Sequence, residues 1–459
     1  MTLLVISPDY ASHLLPLATL ATAWRDAGED VVVATGPATQ PIVDAFGYRR
    51  VDLPLGRGAN AGVIRSAEQQ AEEAASLEGF FAATREGMVP TLAYQARERL
   101  TDLMWRPVDR ARATLEVVDR IRPDTILVDH LAFSARLALH TRGIAYGDVV
   151  LGHPSALPVA GEVYGFPPAW PAAFAPAPDE LAALRTLCEE VSRRFTAQWN
   201  DAARELDAGA PAVDDAFALH GASMPGGTVL YNYPAELAAG DGRELPPHRF
   251  LGSTPREEAS AGDVEEWIAA GGRYVYVSFG SFLSVRGDVL SRVAEALRAS
   301  GLRAAIATGT TDPSELGPIP ADWLVAEYLP QVRLLASAAA SVTHGGNNSV
   351  TEAVGHGVPL LVLPFSTDQF AGAAAIERTG IGVALDPNSA SAAELADALR
   401  TIADPAFSGR AVLADAAAAQ RRRPGPWAAY DSVASEKGSG SRAVPTSRAM
   451  ADGSPAAER

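Results

Sequence analysis

The sequence predicts an α/β protein of two domains, each built on a parallel sheet wrapped by helices. Two observations favour this fold class. Short β-rich runs alternate with helical stretches along most of the chain, which is the pattern of a parallel sheet with helical crossovers. In addition, a chain of 459 residues exceeds what one hydrophobic core ordinarily supports and is long enough for two such domains.

The first half contains the elements of a predicted N-terminal domain, residues 1–235. Buried strands are predicted at residues 2–7, 30–35, 125–128, 146–151 and 229–232, because these runs are short and rich in apolar residues. Two further stretches, 67–122 and 179–206, have helical spacing and are expected to wall a ligand pocket. Residues 236–262 are rich in Pro, Gly and charged groups, a composition that predicts a linker.

The second half repeats the alternation in a predicted C-terminal domain, residues 263–434. Its strands are predicted at residues 274–279, 303–308, 323–327, 340–343, 360–363 and 382–385. A last helix is predicted over 427–433, where Trp427, Tyr430 and Val433 recur at a spacing that places them on one apolar face. Residues 435–459 have almost no large apolar side chains, so we expect a disordered tail.

Composition and charge exclude several classes of function. A net charge of −17 disfavours nucleic acid and anionic membranes as partners. No apolar run is long enough to cross a bilayer, and the apolar start of the chain lacks a basic leader, so we expect no secretion signal. The single cysteine, Cys188, fits a cytoplasmic location. Lys437, the one lysine, lies in the predicted tail, which leaves the folded body without a lysine for Schiff-base chemistry.

The loop after the first predicted strand carries a candidate base. Residues 8–16 contain no glycine, although a dinucleotide-binding turn needs glycines where the pyrophosphate approaches the backbone, so NAD and FAD are excluded here. His13 lies in this loop, at the carboxyl edge of the sheet where ligands bind in open α/β folds. From the sequence alone, His13 is either a general base or a solvated loop histidine.

Asp129 follows another predicted strand and reaches the same edge. A carboxylate at this position would hold one nitrogen of His13 and leave the other free to take a proton from a hydroxyl group. Alternatively, Asp129 caps the helix that follows it. His130 is a competing candidate for the base.

A second site is predicted where a strand meets a helix in the C-terminal domain. Two glycines, two amides and a hydroxyl stand at the helix N-terminus: His344, Gly345, Gly346, Asn347, Asn348 and Ser349. Free backbone N–H groups and the helix dipole favour a diphosphate there, whereas a lone Gly-Gly turn is more often ordinary geometry. Ser281 in a second glycine turn, Glu352 one turn into the helix, and Asp368 with Gln369 at the same sheet edge add polar groups.

These elements resemble the inverting UDP-glycosyltransferase superfamily, in the form of the bacterial enzymes that decorate natural products. The nucleotide-sugar signature of that superfamily is matched in order by residues 328–331, 344–349, 352, 357–359 and 368–369. The resemblance extends to about residue 433. Tyr328 and Asn347 depart from the plant-type pattern, which has tryptophan at both positions.

The resemblance implies a GT-B fold, in which two Rossmann-like domains place their parallel sheets face to face across a cleft. It also implies that the last helix crosses back onto the N-terminal domain. In this family the base and its orienting carboxylate correspond to His13 and Asp129. No metal or other cofactor is implied, because helix-terminal amides and histidine offset the charge of the leaving diphosphate.

The donor-binding residues are also carried over from the resemblance. Tyr328 would stack on the base and Gln331 would lie near it, while Glu352 would bind the ribose. The diphosphate would contact the 344–349 block, chiefly His344, Asn348 and Ser349, together with Ser281. Asp368 and Gln369 would bind the donor sugar.

The expected function is transfer of a sugar from a UDP- or dTDP-sugar to a hydroxyl of a small hydrophobic or polyhydroxylated natural product, by a monomer or homodimer. Two alternatives remain open at this point. One is a GT-B epimerase that acts on the nucleotide sugar itself. The other is a catalytically silent partner protein that binds nucleotide sugar.

Overall fold

The structure, a computed structural model, describes residues 1–56, 71–218, 229–254, 256, 258, 262–283 and 285–439. The side chains of 71–75, 281, 282 and 434–439 are outside this description. Thirteen strands lie in the described part: β1 Thr2–Ile6, β2 Asp30–Thr35, β3 Arg49–Asp52, β4 Thr125–Asp129, β5 Gly147–Val150, β6 Val229–Tyr231, β7 His248–Phe250, β8 Tyr274–Ser278, β9 Arg303–Ala307, β10 Leu324–Ala326, β11 Ala340–Thr343, β12 Leu360–Val362 and β13 Gly382–Ala384.

The strands form two sheets, and the described pairings are parallel. Seven strands in the order β3-β2-β1-β4-β5-β6-β7 make the first sheet, and six in the order β10-β9-β8-β11-β12-β13 make the second. In the first sheet β1 pairs with both β2 and β4, so the carboxyl ends of β1 and β4 are adjacent. Strand β1 buries Leu3, Leu4, Val5 and Ile6 completely, as expected for a parallel strand covered on both faces.

Eighteen α-helices connect and cover these sheets in the described residues. Those of the first part are α1 Ala11–Leu20, α2 Thr22–Asp26, α3 Gln40–Ala45, α4 Ala71–Glu86, α5 Met88–Leu103, α6 Pro107–Ile121, α7 Phe133–Thr141, α8 Pro178–Leu206 and α9 Ala235–Ala238. Those of the second part are α10 Gly262–Ala269, α11 Gly280–Leu283, α12 Gly287–Ser300, α13 Gln331–Leu335, α14 Asn347–His356, α15 Gln369–Thr379, α16 Ala392–Ala403, α17 Arg410–Arg422 and α18 Gly425–Ser439.

Two strands of the first sheet were not predicted, and one of them corrects the predicted linker. Strand β7, His248–Phe250, pairs with β6 inside the segment 236–262, and the short helix Ala235–Ala238 begins just before that segment. Strand β3, Arg49–Asp52, pairs with β2. Both strands lie at sheet edges and carry arginines, so they lack the apolar run that marks a buried strand.

The two domains share packed surfaces along the helices of the first domain. Phe80 of α4 packs in the core of the second domain, and Phe370 of α15 packs in a cluster with residues of α5 and α8. The buried guanidinium of Arg286 donates to the carbonyl oxygen of Thr84 at 3.0 Å. The predicted helical stretches therefore line the boundary between the domains.

The last helix returns to the first domain, as the resemblance implies. Ala428, Ala429 and Val433 are buried in one cluster with residues of β1, α1 and α2, and the hydroxyl of Tyr430 donates to Glu29 at 2.9 Å. The predicted apolar face is wrong in part, because Trp427 is 41% exposed. Helix α18 continues to Ser439, past the predicted start of the tail at 435, and residues 440–459 lie outside the described part.

Within the described residues, no helix combines the length and the apolar character needed to span a bilayer. The longest, α8, has 29 residues and carries charged side chains along its length.

Candidate active site

A cleft at the domain boundary brings together the predicted residues of both halves. His13 and His130 line it from the first domain, and Thr367 and Asp368 line it from the second. The cleft encloses about 770 Å³ of empty space, part of which is open to solvent. Its wall in the first domain combines polar side chains with apolar and aromatic ones, among them Leu92, Leu131, Leu151, Tyr164 and Phe166.

His13 is placed by a short loop whose ends are fixed. Asp9 accepts hydrogen bonds from the backbone N–H groups of Ala38 and Thr39 at 3.0 and 2.8 Å. This contact holds the loop after β1 against the loop after β2. Helix α1 then begins at Ala11, so that His13 lies on its first turn, at the edge of the cleft.

His13 and Asp129 form the predicted pair. Nδ1 of His13 lies 2.8 Å from Oδ2 of Asp129, and the side chains are 18% and 0% exposed. The other carboxylate oxygen of Asp129 accepts the backbone N–H of Leu131 at 2.8 Å. One oxygen of Asp129 therefore orients the histidine, and the other holds the turn that precedes helix α7. The capping interpretation is wrong, because the N-cap residue of α7 is Ala132 and no side chain caps that helix.

The electrostatics of the pair fix the tautomer of His13. Burial disfavours a charged imidazole, but the charge and hydrogen bond of Asp129, with a contribution from Asp368, raise the pKa of His13 above its ordinary value. Burial likewise opposes ionisation of Asp129, yet the charge and hydrogen bond of His13 keep the pKa of Asp129 below its usual range. Asp129 is then a carboxylate that accepts from Nδ1–H, which leaves the lone pair of His13 on Nε2.

His130, the competing candidate for the base, differs from His13 in its pKa and its hydrogen-bond partner. It is 4% exposed, and burial lowers its pKa to about 4. Its Nδ1 accepts the backbone N–H of Leu151 at 3.4 Å. Its ring centroid lies 5.6 Å from that of His13. His130 is thus a neutral neighbour of the pair whose ring nitrogen is committed to the backbone.

The side chains His13, Asp129 and His130 have ligand atoms within 4.8 Å of one another. This is the one cluster with metal-ligand chemistry among the residues that the structure describes. Because Nδ1 of His13 donates its proton to Asp129, that nitrogen has no lone pair for an ion. A metal at Nδ1 would have to break the hydrogen bond of the pair, whereas Nε2 keeps its lone pair.

A buried ion pair lies beneath this edge of the sheet. Arg136 and Asp148 are both fully buried, with Arg136 Nε 3.2 Å from Asp148 Oδ1. The same guanidinium donates to the backbone carbonyl of His130 at 3.4 Å and lies over the ring of Phe133. The pair thereby fixes the backbone immediately after Asp129.

Asp368 reaches across from the second domain. Its Oδ2 accepts the backbone N–H of His153 at 2.8 Å, and a Cβ on Gly152 would lie 2.5 Å from the same oxygen. Glycine at 152 is therefore what permits this close approach. Burial raises the pKa of Asp368. Gln369 turns inward instead, since its Oε1 accepts the backbone N–H groups of Phe365 and Ser366 at 3.0 and 3.1 Å.

The glycine turn of the second domain forms around the ring of His344. Gly345 adopts a φ of +87°, and a Cβ on Gly346 would collide with that ring. Helix α14 begins at Asn347, so its free N–H groups lie beside His344. Burial lowers the pKa of His344 to about 4, and in the described structure its Nδ1 has no hydrogen-bond partner.

The side chains of the first turn of α14 differ in their partners. Both polar side-chain atoms of Asn347 are buried without a described partner. Asn348 donates across the domain boundary to the carbonyl oxygen of Ser12 at 3.3 Å. Ser349 Oγ donates to Oε1 of Gln331 at 3.4 Å. Ser281 falls within helix α11, but its side chain lies outside the described part of the chain.

Glu352 belongs to a polar network that was not predicted. Its Oε1 accepts from Nε of Arg256 at 2.8 Å, and its Oε2 accepts from Gln331 Nε2 at 2.6 Å. Arg256 also pairs with Glu258 at 3.1 Å, which accepts from the hydroxyl of Tyr328. Glu352 is 6% exposed and Tyr328 is 70% exposed. Glu352, the residue predicted to bind the ribose, is therefore buried in an ion pair beside an exposed aromatic ring.

Three groups of cleft residues escaped the sequence analysis. They are the Arg256–Glu258 pair, the Gly152–His153 backbone that holds Asp368, and the polar and aromatic wall of Gln95, Arg99, Tyr164 and Phe166. Gly152 and His153 do follow strand β5, but their contact with Asp368 uses a backbone N–H group and the absence of a Cβ atom. The other two groups form no spaced motif, so no local signal marks them.

Comparisons with known proteins agree with the predicted resemblance. Residues 242–414 match the family model described as "UDP-glucoronosyl and UDP-glucosyl transferase". The chain is 33% identical over 141 residues to NDP-glycosyltransferase YjiC of Bacillus licheniformis, a match covering 30% of this chain and 36% of that protein. The matches to this and a second Bacillus protein span 36% and 32% of their lengths, about a third.

Two further proteins are similar over nearly the whole chain. Elloramycin glycosyltransferase ElmGT of Streptomyces olivaceus is 28% identical over 430 residues, covering 88% of this chain and 95% of that protein. The crystal structure of glycosyltransferase VinC in complex with dTDP superposes with a TM-score of 0.64 at 17% identity, covering 96% of this chain and 100% of that one. Together with the two parallel sheets, this similarity confirms the GT-B fold.

Proposed function

We propose that this chain, whose residues 242–414 match the UDP-glycosyltransferase family, is an inverting glycosyltransferase that transfers a sugar from a nucleoside diphosphate to a hydroxyl of a small natural product. One observation carries the proposal. His13, oriented by Asp129 at 2.8 Å, lines the same cleft as Asp368 of the opposite domain. The cleft therefore contains both the proposed base and the residue proposed to bind the donor sugar.

The proposed reaction is a single displacement. Nε2 of His13 takes the proton of the acceptor hydroxyl while that oxygen attacks the anomeric carbon. The bond between this carbon and the diphosphate oxygen breaks, and its electron pair leaves with the diphosphate. The Asp129 carboxylate, which has a lowered pKa, stabilises the imidazolium that forms. Attack from the side opposite the leaving group inverts the anomeric configuration.

The leaving diphosphate is assigned to the N-terminus of α14. Backbone N–H groups and the positive end of the helix dipole favour an anion there. With a pKa of about 4, His344 is neutral at neutral pH and contributes a hydrogen bond instead of a charge. The unpartnered side-chain atoms of Asn347 and the hydroxyl of Ser349 are further donors, and Ser281 keeps its proposed role beside them.

The nucleoside is assigned to the surface around Tyr328. Its largely exposed ring provides a stacking face for a base, with Gln331 and Glu352 beside it. A ribose hydroxyl would take over one of the Glu352 interactions that Arg256 and Gln331 make in this structure. Asp368 and Gln369 would contact the sugar. The donor is a UDP- or dTDP-sugar; the family description names UDP, and VinC was crystallised with dTDP.

We further propose that the reaction requires no metal or other cofactor, and that the protein acts in the cytoplasm as a monomer or homodimer. The buried thiol of Cys188 is compatible with a reducing compartment. An epimerase would need no second substrate, and the extended first-domain wall of the cleft, to which helix α5 contributes Leu92, Gln95 and Arg99, favours transfer over epimerisation. A silent partner protein would have no use for an oriented histidine in the cleft.

A ligand panel tests the donor assignment first. UDP, dTDP, GDP and their glucose conjugates are added separately, and the melting temperature is measured. A nucleotide present at a hundred times its dissociation constant contributes about 2.7 kcal/mol of stability, which is a clear shift. We expect UDP or dTDP compounds to stabilise the protein and GDP compounds not to. Absence of stabilisation by every nucleotide would contradict the proposal.

A further inference from the structure

The acceptor side of the cleft contains an arginine that the proposed mechanism does not use. Arg99 lies on helix α5 and lines the cleft together with His13. Its guanidinium carbon is 4.8 Å from the centre of the Tyr164 ring. Apart from this ring contact, Arg99 has no hydrogen bond or ion pair with any residue that the structure describes.

Other arginines near the cleft are paired with carboxylates. Arg243 binds Glu162 at 2.6 Å, Arg136 binds Asp148 and Arg256 binds Glu352. The chain has 55 acidic residues against 38 basic ones, so carboxylates are in excess. The half-buried guanidinium of Arg99 faces the cleft and has no carboxylate partner among the described residues. It is therefore available to a ligand.

The surroundings of Arg99 define the shape of that ligand. Leu92, Leu131, Tyr164 and Phe166 form apolar and aromatic walls around the cleft. Among the described residues that line it, the one acidic side chain is that of Asp368, which belongs to the second domain and accepts the backbone N–H of His153. The ring of Tyr164 is itself covered, by Phe217 stacked at 3.9 Å and by the guanidinium of Arg99. A planar molecule with an anionic group would pack against Phe166 and the leucines and place that group against the guanidinium.

We propose that the acceptor is a planar aromatic compound that carries a carboxylate, and that Arg99 binds this carboxylate while His13 receives the proton of a hydroxyl at the opposite end. This inference rests on the proposed function for the role of the hydroxyl. The recognition of the carboxylate by Arg99 is independent of sugar transfer and can be measured by binding alone.

The test uses two fluorescent probes of the same shape, 7-hydroxycoumarin-3-carboxylate and 7-hydroxycoumarin-3-carboxamide. Their dissociation constants are measured by fluorescence titration with the wild-type protein, with Arg99→Gln and with Arg97→Gln. Arg97 is an exposed arginine two residues away on the same helix, which makes it a matched control for net charge.

We expect the wild type to bind the carboxylate on the order of 10- to 100-fold more tightly than the amide, as for a charge-assisted hydrogen bond. Arg99→Gln should abolish this preference and leave the amide affinity within about twofold. Arg97→Gln should keep the preference, and Arg99→Lys should restore part of it. Raising the salt concentration should weaken binding of the carboxylate more than that of the amide.

Equal affinity of the wild type for the two probes would overturn the proposal, and so would a preference that survives in Arg99→Gln. Nucleotide-dependent stabilisation of Arg99→Gln shows that the variant is folded. If the preference depends on Arg99 but no donor sugar is ever transferred, the proposed function fails and this inference stands. If sugar is transferred equally to both probes, the proposed function stands and this inference fails.

Discussion

The two edges of the cleft differ in how their polar groups are engaged. On the first-domain edge, both oxygens of the fully buried Asp129 have partners that orient His13 and the following turn. On the second-domain edge, Glu352 is held by Arg256 and Gln331, and Asn347 has buried polar atoms without a described partner. Under the proposed function, the first edge is arranged for proton transfer in advance, whereas the second would have to exchange partners on binding a nucleotide.

Removal of the base should have the largest effect. His13→Ala is expected to lower the transfer rate by on the order of 10² to 10⁴, because proton removal is lost while the donor edge is untouched. The rate is measured at saturating donor, and nucleotide affinity is measured by calorimetry on the same preparation. His248→Ala, which removes an exposed histidine on β7, is the control. Turnover of His13→Ala at the wild-type rate would remove this residue from the mechanism.

Weakening the orienting carboxylate should have a smaller effect and a distinct pH signature. Asp129→Asn is expected to lower the rate by about 10- to 100-fold, because the imidazole is less well held. His13 must be neutral to accept a proton, so activity falls as the pH drops below its pKa, which Asp129 raises above 6.5. Loss of that charge lowers the pKa, and the acid limb of kcat/KM should therefore move to lower pH.

The pH profile separates orientation from a merely structural contribution. If Asp129 only held the turn before α7 through Leu131, the variant would lose rate or stability without any displacement of the acid limb. A wild-type rate with an unchanged profile would leave Asp129 with the turn-holding role alone.

On the second edge, Glu352→Ala should weaken nucleotide binding by about tenfold, which is the scale of one lost hydrogen bond to a charged group. The transfer rate at saturating donor should change little, since proton transfer occurs at the opposite edge. Calorimetry with the nucleoside diphosphate measures this effect. Unchanged affinity would mean that Arg256 and Gln331 retain Glu352 when the nucleotide is bound.

Removal of metal ions should have the smallest effect. Saturating EDTA is expected to leave the transfer rate unchanged, because in the proposed mechanism the charge of the diphosphate is met by the N-terminus of helix α14. The assay compares EDTA-treated protein with and without added Mg²⁺ or Mn²⁺. Strict dependence on either ion would contradict the metal-free mechanism and direct attention to the cluster of His13, Asp129 and His130.

The sequence was sufficient to predict the buried strands, though not the edge strands β3 and β7, and to predict that His13 and Asp129 lie close together. Apolar runs mark buried parallel strands, and because β1 pairs with β4, the residues after these strands come to one edge. Each of the two residues follows a strand with a local apolar pattern, so their separation of 116 positions in the sequence did not prevent the prediction. Edge strand β7 carried no such pattern, since it is three residues long and largely exposed.

The contacts that were missed depend on tertiary packing. Arg256 contacts Glu352 at a separation of 96 positions in the sequence. The backbone N–H of His153 contacts Asp368 at a separation of 215 positions. No spacing rule encodes either pair. The orientation of Arg99 is set by the packing of α5 against its neighbours, and the buried face of α18 uses Ala428 and Ala429 instead of Trp427, because small residues allow close approach to the first domain.

The central claim is most directly tested by following the donor in real time by NMR. The anomeric signal of an α-linked UDP- or dTDP-glucose is recorded with the protein, first alone and then with a phenolic acceptor. The account predicts that the donor signal stays until the acceptor is added and is then replaced by that of a β-linked glycoside. Conversion to a second nucleotide sugar without acceptor, or formation of an α-linked product, would contradict it.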